Sequence, residues 1–303
     1  MVEKNDVSPV RAILVATDFS ECAENAVRWA ASLARHHGAR LVLHHALSPP
    51  QGAPTFPGAA PYPPEIHEEY RNAATMRLAQ MADALEDVEA VTDIQVGTSA
   101  HTILQAAEKH GVDLVVTGTR GLSGIRHLLL GSTAERLVQH ATLPVLAVHP
   151  DMEPPEAVKT ILVPTDFSDD AELALQAALR LLVGSPDPKV ILFHAFHVPI
   201  EYTHLAGGFV LPDITQSALA DARTALERIA EPLRKQGHVV ETVAREGYAP
   251  QAIETEAREH GVDLIAMGTH GRSFLPHAVL GSTAERVVQH APCPVLTVRR
   301  DED

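Results

Sequence analysis

Short apolar, β-branched runs alternate with longer stretches whose apolar positions recur every three or four residues, and the chain writes this alternation twice. In the first half, strand patterns at 12–17, 41–46, 91–96, 114–117 and 145–148 alternate with helical patterns at 20–37, about 65–85, 102–110 and 133–140. In the second, strand patterns at 161–164, 190–195, 239–244, 264–267 and 295–298 alternate with helical ones at 169–182, 214–236, 251–260 and 283–290. Gly38 and Gly111 close two of the first-half helices, where a left-handed residue ends the spiral. Alternating strand–helix units predict the α/β class, a parallel sheet covered on both faces with ligand sites at the carboxyl ends of its strands.

The two halves match beyond their periodicity. Thr17-Asp18-Phe19-Ser20 returns as Thr165-Asp166-Phe167-Ser168, and His110-Gly111-Val112-Asp113-Leu114 as His260-Gly261-Val262-Asp263-Leu264. Residues 131–148 and 281–298 agree at fourteen of eighteen positions. A repeat of half the chain is too long for a solenoid unit, so the expectation is a duplicated domain, 1–150 and 151–303. Residues 150–158 hold Pro150, Pro154 and Pro155 with three acids, which reads as a solvated linker.

Charge narrows the partners. The net charge is −15, from 24 basic and 39 acidic residues, and the second half is the more acidic. No basic stripe survives that balance, so a nucleic-acid groove is not expected. No apolar run approaches a membrane span, and 1–11 lacks an apolar signal region. Cys22 and Cys293 make no disulfide framework. A reduced, cytoplasmic protein is the expectation.

The chemistry concentrates after the fourth strand of each half. Gly118-x2-Gly121-x9-Gly131-Ser132 is repeated as Gly268-x2-Gly271-x9-Gly281-Ser282. Glycine lets backbone amides approach an anion closely, and the start of the next helix directs free N–H groups at the loop. Ser132-x-x-Glu135 and Ser282-x-x-Glu285 read as capping boxes with the serines at the N-cap. Neither a P-loop nor a Gly-x-Gly-x-x-Gly fingerprint is present. Asp18 and Asp166 end the first strands, beside the crevice. Their carboxylates suit either ribose hydroxyls or capping of the first helix, and spacing leaves both readings open.

These motifs, with the closing Pro-Val-Leu-x-Val runs, resemble the ATP-binding branch of the universal stress protein family over essentially the whole chain. The resemblance implies two tandem Rossmann-like domains of the adenine nucleotide alpha hydrolase type. Each would be a five-stranded parallel sheet ordered 3-2-1-4-5, holding ATP, with Mg²⁺ on its phosphates, at the strand carboxyl ends. Carried across, the adenine side falls on Asp18 and Ala46, and on Asp166 and Ala195. Thr117 and Met267 stand just before the glycine loops. Gly118, Gly121, Gly131 and Ser132, and likewise Gly268, Gly271, Gly281 and Ser282, would hold ribose and phosphates, with Thr133 and Thr283 adding hydroxyls. Family members often carry a larger aliphatic residue where Ala46 and Ala195 stand. The resemblance also implies pairing of two domains through their last strands. An edge strand invites such pairing, and the duplication supplies a partner edge within the chain. Further self-association or an unknown protein partner stays open.

Arg120 aligns with His270, so the two sites need not behave alike. The 18 histidines include His36-His37, His44-His45 and His194-x-x-His197, none at a zinc spacing with cysteine or acid, and no structural metal is expected. His45 and His194 read as aligned strand residues beside the site. His127 and His277 lie inside the glycine loops. Cys22 falls in the first turn of helix one, where a helix dipole can lower a thiol pKa, but Asp170 replaces it in the second half, so it reads as incidental. Cys293 reads as a small buried residue. No lysine or second arginine is shared by both glycine loops, so the expectation is a non-catalytic nucleotide-dependent regulatory protein capable at most of slow hydrolysis. The alternative is a nucleotidyl- or phosphoryl-transferring enzyme on the same fold, whose acceptor pocket would have to lie in the unlike loops 47–64 and 196–212.

Overall fold

The computed structural model describes residues 8–47, 64–121, 130–197, 212–271 and 280–300. The described residues divide into two compact units, one within 10–156 and one within 157–303 with Ser8 and Pro9. The first contains β1 (Ala12–Ala16), α1 (Glu21–His37), β2 (Arg40–Leu47), α2 (Pro64–Asp83), β3 (Ala90–Val96), α3 (Ser99–His110), β4 (Leu114–Gly118), α4 (Ser132–His140) and β5 (Val145–Val148). Its strands are parallel, in the order β3-β2-β1-β4-β5.

The second unit contains β6 (Thr160–Pro164), α5 (Asp169–Leu181), β7 (Lys189–Phe196), α6 (Pro212–Lys235), β8 (Val239–Glu246), α7 (Ala249–His260), β9 (Leu264–Gly268), α8 (Ser282–His290) and β10 (Val295–Val298). Its order is β8-β7-β6-β9-β10, again parallel. The predicted class and strand order therefore hold in each half. The order reverses between β1 and β4, and between β6 and β9. That reversal opens a crevice at the strand carboxyl ends.

The central strands are buried on both faces, as helices on either side require. Ile13, Leu14 and Val15 are fully buried, as are Leu41, Val42 and Leu43. Each first helix starts at a serine that accepts a backbone N–H, Ser20 from Ala23 and Ser168 from Ala171. Its sheet-facing side is built from alanines, among them Ala23, Ala26, Ala30 and Ala34 in α1. These small residues bring the helix backbone close to β4. A Cβ added to Gly118 would stand 2.9 Å from Cys22 Sγ and 3.1 Å from the Cys22 carbonyl oxygen.

Two expectations need correction. The linker after Pro150 is tied to α1 rather than loose in solvent. Buried Asn25 donates to the carbonyls of His149 and Met152 at 2.7 and 2.8 Å, the Trp29 indole to Met152 at 2.7 Å, and Ser32 to Pro155 at 2.6 Å. The third helices begin earlier than their apolar periodicity indicates, at Ser99 and Ala249. Neither has a side-chain cap to announce the start.

The halves also diverge inside their cores. His44 is fully buried, with Nδ1 2.9 Å from Asp93 and Nε2 3.2 Å from Thr102. Lys109, His110 and Gln95 also bond the Asp93 carboxylate. The strand register places Phe193 and Val243 at the equivalent positions of the second half, so that core is apolar there. Burial lowers the pKa of His44, partly offset by its bond to Asp93. Burial alone would raise that of Asp93, but the bonds from Lys109, His110, His44 and Gln95 outweigh it and hold the carboxyl well below the usual range.

Candidate functional site

In each half a sharp turn leads from the first strand to the first helix. Thr17 Oγ1 accepts the Phe19 N–H at 3.0 Å, and Thr165 Oγ1 accepts the Phe167 N–H at 2.9 Å. The phenylalanines take φ values of 64° and 65°, left-handed backbone that costs a bulky residue about 1–3 kcal/mol. Each ring packs on a histidine of the adjoining strand, Phe19 on His45 at 4.5 Å and Phe167 on His194 at 4.7 Å. Those histidines place Nδ1 2.7 Å from the carbonyls of Thr17 and Thr165. The strain is thus anchored from both sides, and its product is the position of the preceding aspartate.

Asp18 uses Oδ1 to accept from Ser20, at 3.0 Å from its N–H and 2.5 Å from its hydroxyl. Asp166 does the same with Ser168, at 3.1 and 2.5 Å. The other carboxylate oxygen faces the glycine loop. A Cβ on Gly121 would fall 2.8 Å from Asp18 Oδ2, and one on Gly271 2.6 Å from Asp166 Oδ2. The two readings left open by spacing are therefore not exclusive, since one oxygen braces the helix start and the other borders the crevice.

Asp18, Ala46, Thr117, Gly118, Gly121, Gly131, Ser132 and Thr133 all line one cavity of about 200 Å³. Asp166, Ala195, Met267, Gly268, Gly271, Gly281, Ser282 and Thr283 line its counterpart of about 650 Å³. In both halves the fold brings together every residue that the resemblance assigns to the nucleotide. The far ends of the glycine loops are tied back, since Gly131 N–H donates to Thr119 and Gly281 N–H to Thr269, both at 2.8 Å. Residues 122–129 and 272–279, with His127 and His277, lie outside the described residues, as do 48–63 and 198–211 of the two unlike loops.

The capping boxes need correction at this site. Gly131 and Gly281 are the N-caps, and neither helix has a side-chain cap bond. Ser132 and Ser282 fall one residue inside the helix, where the side chain borders the cavity instead of closing the helix end. Burial pushes the Cys22 thiol pKa up, outweighing the nearby donors, and its Sγ lies 3.6 Å from the Val148 carbonyl. Cys293 behaves as expected of a buried thiol, pushed up to about 12 by burial.

The sites differ at Arg120 and His270, which line the first and second cavities. His270 is fixed by α5. Its N–H donates to Asp170 Oδ2 at 3.2 Å, and its ring nitrogen lies 3.6 Å from the same oxygen. Asp170 occupies the place of Cys22, so the helix partner and the loop residue changed together. Sequence reading missed Ser99 and Ile103, and Ala249 and Ile253, which close the cavities from the third helices. The pair Gly97 and Gly247, at matching places just ahead of both helices, was the available signal.

Among the described residues, no three His, Cys, Asp or Glu side chains converge as a metal site, and no helix is long and apolar enough to cross a membrane.

Comparison with known proteins follows the same division. The universal stress protein family model matches residues 9–149 and again 157–299. A universal stress protein of Mycolicibacterium smegmatis is 28% identical over 297 residues, covering 95% of this chain and 96% of its own. One from Methanocaldococcus jannaschii is 32% identical over 157 residues, covering 47% of this chain and 95% of its own. The crystal structure of a universal stress protein from Archaeoglobus fulgidus superposes with a TM-score of 0.73 at 22% identity, covering 98% of both chains, which speaks for the fold.

Proposed function

This chain belongs to the universal stress protein family, and we propose that each half holds an adenine nucleotide, ATP with Mg²⁺, in the crevice between its first and fourth strands. The protein then acts in the cytoplasm as a nucleotide-dependent regulatory binding protein and not as a fast catalyst. One observation carries the reading: in each half a carboxylate braced on its own helix lies against a glycine loop so close that a single methyl group would collide with it. A carboxylate at that place accepts from ribose hydroxyls. The glycine backbone and the start of the fourth helix present N–H groups to phosphates. Gly121, Gly131 and Ser132, with Gly271, Gly281 and Ser282, would hold the phosphates and their Mg²⁺. Ala46 and Ala195 leave room for the base.

Bound ATP supplies a transferable phosphoryl group, but rapid transfer needs a positioned nucleophile and matched cationic stabilisation. Among the described lining residues the one arginine is Arg120 in the first half, and its partner position holds His270.

The decisive measurement is to denature freshly purified protein and identify released nucleotide by chromatography, with calorimetry of ATP binding alongside. ATP is expected, with binding lost at the altered half in Gly131→Val or Gly281→Val. Undiminished binding in the double variant would refute the site. Steady-state turnover of order 1 s⁻¹ or faster would favour a transferase instead.

A further inference from the structure

His44 lies in the floor of the first crevice, fully buried. The Asp93 carboxylate opposite it collects bonds from Lys109, His110 and Gln95 and is ionised. It therefore accepts from His44, and Nδ1 carries the hydrogen. A neutral His44 then has a bare Nε2, and the Thr102 hydroxyl, 3.2 Å away, is the donor that serves it. The same hydroxyl stands 3.1 Å from the Ser99 carbonyl. Its one hydrogen goes either to the ring or to that carbonyl.

These alternatives are two complete bonding states. With His44 neutral, Thr102 donates to Nε2. With His44 charged, Nε2–H donates to Thr102 Oγ1, and the threonine hydrogen turns to Ser99. Neither state orphans a buried group, so a proton enters the floor without that penalty. Ser99 opens α3 and itself lines the crevice. In the second half Phe193, Val243 and Ala252 stand at the places of His44, Asp93 and Thr102, so that floor has no such exchange.

Two effects of a bound nucleotide compete over the charge of His44. Cover by a ligand removes water, which opposes charge, but His44 is already fully buried and has little left to lose. Phosphates bring negative charge to the glycine loop. Only β1 separates β2 from β4, where that loop begins, so about 10 Å lies between them, through an interior that screens poorly. Attraction wins, and the charged ring is favoured. Asp93 of β3 supports the same state, as does Asp18 at the crevice wall. His45 and His110 oppose it when charged, and Lys109 is paired with Asp93.

Resting on the nucleotide reading above, we propose that the first crevice takes up a solvent proton together with its nucleotide. The proton goes to Nε2 of His44, and the Thr102 hydroxyl hands its hydrogen from the ring to Ser99. The first half then binds its nucleotide more tightly in acid, and the second half lacks this coupling.

The test is an NMR pH titration of the full chain with labelled histidines, His44→Phe identifying the signal, with and without ATP or adenosine. ATP should raise the pH at which His44 is half protonated by at least about 0.5 unit, which by linkage means about threefold tighter binding to the charged form. Adenosine, which brings no phosphate, should not. Calorimetry with ATP should show the matching gain in affinity below the His44 titration, and His44→Phe should lose that gain while keeping the ligand's own pH dependence. Thr102→Val should depress the His44 titration with or without ATP, because the charged ring loses its acceptor, and Thr102→Ser should restore it. An unmoved His44 signal in a chain that binds ATP would overturn the proposal and leave the nucleotide reading standing. An equal shift with adenosine, or a Thr102→Val titration identical to the parent's, would overturn it as well. No ATP binding at any pH would take down both.

Discussion

Asp18 Oδ2 stands 2.8 Å from the point a Cβ on Gly121 would occupy. Its other oxygen is held by the N–H and hydroxyl of Ser20, so the carboxylate can give way only by turning about those bonds and leaving its place at the crevice. Gly121→Ala should therefore displace a functional group with little cost to the fold. The expected result is a loss of nucleotide affinity in the first half of about tenfold, equivalent to about 1.4 kcal/mol, with an unchanged melting temperature. Gly271→Ala should do the same in the second half. Calorimetry of the two single variants checks this, and full affinity in both would detach the aspartates from the site.

Acid should attack the first half before the second. Burial holds His44 below its ordinary pKa of 6.5, so the unfolded chain takes up a proton that the folded chain refuses. Stability is then complete above pH 6.5 and falls as pH drops through that value. Asp93, held below its ordinary 3.8, adds a further loss as pH falls past that point. The double variant His44→Phe, Asp93→Val copies the second half. It should flatten the acid limb and cost little at pH 8, since replacing both partners of a buried hydrogen bond by apolar residues is often nearly neutral. Trp29, the one tryptophan of the chain and 2% exposed, reports unfolding of this half. An unaltered acid limb would contradict the assignment.

Gly118 and Gly268 line the crevices, and they test packing as well. An added Cβ would meet the start of the first helix in each half, at 2.9 Å from Cys22 Sγ and at 2.6 Å from Asp170 Cβ. At Gly268 the Asp170 backbone carbon also lies 2.9 Å away. Alanine at either site should destabilise its half by about 1–3 kcal/mol, as overpacking does, with the larger cost at Gly268. Urea unfolding measures both. Equal stability to the parent would mean that helix and strand separate more easily than their alanine-rich contact implies.

Asn25 is fully buried and serves the carbonyls of His149 and Met152. Asn25→Leu, which installs the residue found at Leu173, should cost about 1–3 kcal/mol, the usual range for leaving buried polar groups unsatisfied. It should also shift Trp29 emission and speed proteolysis at 151–156. Protection of that segment equal to the parent's would show that Trp29 and Ser32 hold it unaided.

Much of this was legible because the chain repeats itself. Thr-Asp-Phe-Ser and the spaced glycines recur at fixed places, and a repeated place in an α/β unit translates directly into a place in the crevice. What stayed hidden depends on contacts between distant segments. Asp93 reads as an ordinary polar residue of a strand, and only the register opposite His44 reveals a buried pair. The capping boxes misled because Ser-x-x-Glu fits one helical turn equally well when the serine is the first helical residue. The linker misled because proline-rich, acidic composition says nothing about whether buried donors on α1 await its carbonyls.

The bonds from Asn25, Trp29 and Ser32 have a practical consequence for separating the halves. A cut after residue 150 strips the first half of the Met152 and Pro155 carbonyls that these side chains serve, leaving an indole N–H and a hydroxyl without their acceptors. A cut after 156 leaves the seam whole. The shorter fragment should be the weaker one, although it ends nearer to the last strand.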